Sequence, residues 1–142
     1  MAIIQKFDLQ KGLIFVVWQG TVTAQEWFRY AHKLTSDSTW TTASRVLADL
    51  LSVQSTSSIQ NQEIDQAVEI FSANRAGLVG KKLAVLARDE FGKARRFGEY
   101  LSHFGTSSVV FNNLDTACLF LGVDILYAYR MLDSMHGQSQ SD

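Results

Sequence analysis

The chain has 142 residues, 46% hydrophobic and 19% charged, with one cysteine, no proline and a formal charge of −1. Such a length suits one domain that buries roughly two-thirds of its unfolded surface, so it needs no disulfide or metal staple. The composition excludes a disordered or acidic solvating chain, and a charge near zero gives no electrostatic drive toward nucleic acid or an anionic membrane.

Residues 3–8 and 13–19 read as two strands joined by a turn at Leu9–Gly12. In the second, Ile14, Val16 and Trp18 alternate with Leu13, Phe15 and Val17, and both sets are apolar, as in a strand buried on both faces. Thr23 and Glu26 then have capping-box spacing. The helix they open carries Ala24, Trp27, Phe28, Ala31 and Leu34 on one stripe. Asp37–Thr42 breaks that pattern, and Arg45–Leu51 predicts a third strand. Ser52–Ser58, with four serines and one threonine, reads as a loop. Ile64, Ala67, Val68 and Phe71 mark a second helix ending near Gly77.

Lys81–Ala87 predicts a fourth strand, and Asp89 is placed to cap a third helix with Phe91, Ala94, Phe97, Leu101 and Phe104 along its inner stripe. Gly105 would end it. A fifth strand follows at Ser108–Phe111, then a short helix Leu114–Leu121 capped by Asn113, and a last helix Val123–Met135. Strands alternating with helices imply a largely parallel sheet with right-handed crossovers and one antiparallel edge strand from the first hairpin. The expected organisation is one domain over residues 1–136, with 137–142 a disordered tail.

No apolar segment behind a basic start and no run of about 18 apolar residues is present, so neither a secretory leader nor an integral membrane segment is expected. Cys118 stands alone, and the cytoplasm is the expected compartment.

Known chemical motifs are missing. No strand end carries G-x-G-x-x-G, and no G-x-S-x-G elbow occurs. Gly77–Lys82 precedes a strand rather than a helix and reads as a polar turn, not a phosphate cradle. His32, His103 and His136 are scattered, so no metal, cofactor or catalytic residue is expected.

Four features carry the functional expectations. Ser52, Ser55, Ser57 and Ser58 follow a central strand toward a helix N-terminus, where α/β sheets bind ligands; they are candidates for a phosphoacceptor or polar-ligand loop. Arg88 and Asp89, at the end of the fourth strand, would project at the same edge and contact a partner or anion. The aromatic set Trp18, Trp27, Phe28, Trp40, Phe91, Phe97 and Phe104 reads as core, with a ligand cavity among them as the alternative. Asp49 lies within a buried strand with no partner visible in the sequence, where it would brace the following loop.

These residues also carry a resemblance. Gly20–Glu26 resembles the strand-to-helix entry of SpoIIAA-like proteins, and Arg45–Leu51 is similar to their central strand. Lys82–Phe97 and Ser108–Gly122 resemble their fourth strand and helix and their final strand and helix, with Phe120 where tryptophan is common. The resemblance, to small bacterial members, covers roughly residues 3–122. It implies a β-α superhelix with strands in sequential order and helices mainly on one face, in a superfamily that includes STAS domains and the CRAL-TRIO lipid-carrier lobe. In the STAS branch an Asp-Ser-Ser-Gly segment holds a serine phosphorylated by a partner kinase. Here Ser55–Ile59 occupies that place without the Asp and Gly, leaving Ser57 or Ser58 as the matching position.

Strands two to four read apolar on both faces, so a face without helices must be covered, either by the last helix or by a second subunit. The expectation is a non-enzymatic regulatory or protein-interaction domain forming a homodimer with a possible protein partner. The alternative is an apolar small-molecule or lipid binder using the sheet face under the last helix.

Overall fold

Gly12, at φ +61°, turns the chain between β1 (Ile3–Asp8) and β2 (Leu13–Thr21). This backbone conformation costs glycine little because it has no Cβ. The computed structural model describes residues 2–140. After the hairpin come α1 (Ala24–Thr35), α2 (Ser38–Thr42), β3 (Arg45–Ser55), α3 (Asn61–Ser72), a 3-10 turn at Arg75–Gly77, β4 (Lys82–Leu86), α4 (Phe91–Ser102), β5 (Ser107–Phe111), α5 (Leu114–Leu121) and α6 (Ile125–Gln140). The fold is α/β, and the five strands lie in chain order, β1-β2-β3-β4-β5. β1 pairs antiparallel with β2, and the remaining pairs are parallel.

The double alternation in β2 works as two cores. Ile14, Val16 and Trp18 face α1, α3 and α4 together with Val46, Leu50, Leu83 and Val85. Leu13, Phe15 and Val17, with Leu47, Ala84 and Leu86, face the other way against α5 and α6. α6 packs on β1 and β2, and α5 on β4 and β5, so both sheet faces are covered within one chain. Tyr127 fixes α6 near its start. Its hydroxyl donates to Asp8, its ring meets Phe15 edge-on at 6.0 Å, and Lys11 Nζ sits 3.8 Å from its centroid. Ala128, Leu132 and Met135 then bury one side of the helix.

Local signals explain the element ends. The Thr23–Glu26 capping box is complete, and Asn113 caps α5 by accepting from Thr116 N–H. Four expectations need correction. β3 runs to Ser55, because β2 extends beside it to Thr21, with a register shift after Asp49 that returns Val53 to the core faced by Val46, Ala48 and Leu50. Asp37 and Thr39 open a short helix where the pattern breaks, since the Asp37 carboxylate accepts Thr39 N–H at 2.9 Å. Asp89 does not cap α4. Glu90 occupies that position with φ −87° and ψ 7°, its carboxylate turned inward to Thr56. α6 continues to Gln140, into the segment expected to be a tail; residues 141–142 lie outside the described residues. No helix among the described residues is long and apolar enough to cross a membrane.

Candidate functional site

Between the first sheet face and α1, α3 and α4 lies a cavity of about 110 Å³. Its aromatic wall is continuous: Trp18 meets Trp27 at 5.5 Å, Trp27 meets Phe97 at 5.1 Å, Phe97 meets Phe71 at 5.5 Å, and Phe71 meets Trp40 at 5.6 Å between ring centroids. Aliphatic groups from the sheet, including Val46, Leu83 and Val85, close the other side. Trp18, Trp27, Trp40 and Phe97 from the expected aromatic set line it, while Phe91 is exposed. The apolar-ligand alternative looked to the sheet face under the last helix; this cavity lies across the sheet from that face.

Polar groups line the two ends. At the carboxyl edge of the sheet, buried Thr56 donates its hydroxyl to Glu90, which is 9% exposed. Lys93 Nζ donates to the Thr56 carbonyl at 2.8 Å and to its Oγ1 at 2.9 Å, so one hydroxyl links the carboxylate to the ammonium. At the amino edge, Lys81 Nζ donates to the carbonyls of Trp40, at 2.6 Å, and of Ala43, with the Trp40 ring centroid 4.0 Å away. Burial pushes the Lys81 ammonium down to a pKa of about 8. Thr106, which also lines this cavity, spends its hydroxyl on the Leu78 carbonyl. From the side, Tyr30 contributes a buried hydroxyl with no partner among the described residues, and burial raises its pKa, which keeps it protonated.

The serine segment and the turn after β4 do meet at one edge, through Thr56, Glu90 and Lys93. Ser52 and Ser55 belong to β3, where Ser52 is exposed and Ser55 Oγ accepts Ser57 N–H. Ser57 and Ser58 are exposed, and Ser58 Oγ accepts Ala24 N–H at 3.0 Å, steadying the entry to α1. Arg88 and Asp89 are exposed beside this cluster. Thr56 was legible as a hydroxyl among serines; plain alternation would place it with exposed Ser52 and Gln54, and its inward turn follows instead from the register shifts between β2 and β3. Lys81 carried no such signal: the run Gly77–Lys82 looks polar, yet Gly77, Leu78 and Lys81 are buried.

On the opposite face, Asp49 finds a partner. Its Oδ1 accepts Leu51 N–H at 2.9 Å, and Oδ2 lies 3.3 Å from His136 Nε2. Cys118 is buried there too, and desolvation, then Asp115 and Asp124, raise its pKa, which makes it a poor nucleophile.

No protein-family model and no curated protein matches the chain. Among solved structures it is similar to one described as "Crystal Structure Analysis of Mglu", at 17% identity and a TM-score of 0.44, over 62% of this chain and 20% of that one. The chain therefore spans about a fifth of that structure's length, and at this score the likeness carries no functional argument.

Proposed function

We propose that this domain binds a small apolar molecule in the cavity beneath α1, α3 and α4. The observation that carries the reading is a partly open pocket of about 110 Å³ in an aromatic-walled core. Its lining is almost wholly apolar and it opens toward the surface, so an apolar group can enter and leave water for a hydrocarbon wall. A cavity of about 150 Å³ takes benzene, so the scale suits one aromatic ring or a short alkyl chain. The SpoIIAA-like resemblance supports the reading through the lipid carriers of that superfamily. The reading is non-enzymatic.

Thermal unfolding with toluene tests it. Toluene at ten times its dissociation constant adds about 1.4 kcal/mol, raising the midpoint by about 3–6 °C. Val85→Phe, which fills the pocket, abolishes the shift while circular dichroism stays native. A wild-type midpoint unmoved at saturating toluene, with unchanged tryptophan indole NMR signals, refutes the reading.

A regulatory or interaction domain is the second reading, favoured by exposed Leu119, Leu126 and Tyr129 on the outer sides of α5 and α6. Under it the protein is a homodimer through these residues. Sedimentation velocity then gives a dimer that Leu126→Ser with Tyr129→Ser converts to a monomer; a wild-type monomer at 100 µM (roughly the top of the useful range for weak dimers) sinks it.

A further inference from the structure

Lysine is almost never fully buried unless it is paired. Lys81 is 3% exposed, and among the described residues no carboxylate lies within ion-pair distance of its Nζ. Its partners are two backbone carbonyls and the Trp40 ring, which orient the ammonium but carry no formal charge. An ammonium has three donors, so one N–H remains. The other titratable groups on the cavity wall are Tyr30, Glu90 and Lys93. Glu90 and Lys93 are linked through Thr56 and offset each other at the far end of β4, about 16 Å away along the strand. Tyr30 stays neutral, since burial raises its pKa. The wall therefore keeps one uncompensated positive charge, at the end built by Lys81, Trp40, Leu78 and Thr106.

We infer that the ligand of this cavity is an apolar monocarboxylate, its carboxylate on the free N–H of Lys81 and its ring or short chain among Trp40, Phe71 and Leu78. The inference rests on the cavity-binding reading above and names its ligand class. A carboxylate there gains a charge-assisted hydrogen bond in a low-dielectric site. An amine of the same size meets a like charge instead.

Calorimetric titration at pH 7 with benzoate, toluene and benzylamine tests it. Benzoate binds at least tenfold more tightly than toluene, and benzylamine more weakly than either. In Lys81→Met the benzoate-to-toluene ratio collapses to one or below. In the wild type the same ratio falls as pH rises from 7 to 10 and Lys81 loses its proton. That series decides the matter if the variant does not fold. Toluene binding with no preference for benzoate, or a preference kept in Lys81→Met or across the pH series, overturns the carboxylate inference alone. Failure of all three compounds to bind overturns the cavity reading, and this inference with it.

Discussion

Lys81 also leaves a mark on stability. Its ammonium titrates at about 8 in the folded chain, against 10.5 for a freely solvated lysine. Below pH 8 both states are protonated and the folded state bears the full desolvation cost. Between 8 and 10.5 the unfolded chain holds more protons, so stability rises with pH. Relative to Lys81→Met, the wild type should gain on the order of 2 kcal/mol between pH 7.5 and 10, as read by urea unfolding at each pH. A flat difference would mean the amine reaches solvent. At this scale the sequence was legible where partners are neighbours. Thr23 and Glu26 announce their capping box three residues apart. It was illegible where partners are distant: Asp49 and His136 are brought together by α6 folding back across the sheet, and no spacing encodes that.

Among the elements, α6 has the most to do, since it covers the β1–β2 half of one sheet face. Met135 has no exposed surface and packs with Leu132 and Ala128 in the second core. Met135→Ala is expected to cost about 2–4 kcal/mol by lost transfer and cavity terms, measured as a lower urea midpoint at constant m-value. A loss below about 1 kcal/mol would mean that α6 is loosely docked. The need for such a cover was visible in β2, β3 and β4, whose two faces both read apolar; the helix that meets it was marked by Ile125, Ala128, Tyr129, Leu132 and Met135, of which Ala128, Leu132 and Met135 are buried and Tyr129 is exposed. The strand-loop boundary at Ser52 was not visible, because serine suits a turn and an exposed strand position equally well. Register with β2, a tertiary fact, settles it: Gln19 pairs with Ser52 and Thr21 with Ser55.

Taken whole, the molecule divides its apolar content unequally by purpose. The side holding α5 and α6 is assembled mainly from aliphatic groups, with Phe15 and one buried thiol. The other side concentrates the tryptophans and keeps the pocket. The largely parallel sheet and its antiparallel edge were readable from the alternation of strands and helices, whereas the sequential strand order was implied only by the resemblance. The location of the cavity was not readable, because it depends on how aromatic rings from the covering helices stop short of filling the space over β3 and β4. A stripe of aromatics at helical spacing looks the same whether they close the gap or leave it.

The late position of α6 in the chain has a consequence for biosynthesis. Leu13, Phe15 and Val17 emerge from the ribosome with β2, but the helix that shields them follows roughly a hundred residues later. At about 5–20 residues per second, that apolar strip stays without its own cover for roughly 5–20 seconds. Throughout that interval it is a surface a chaperone can hold, and α6 must displace whatever has taken its place.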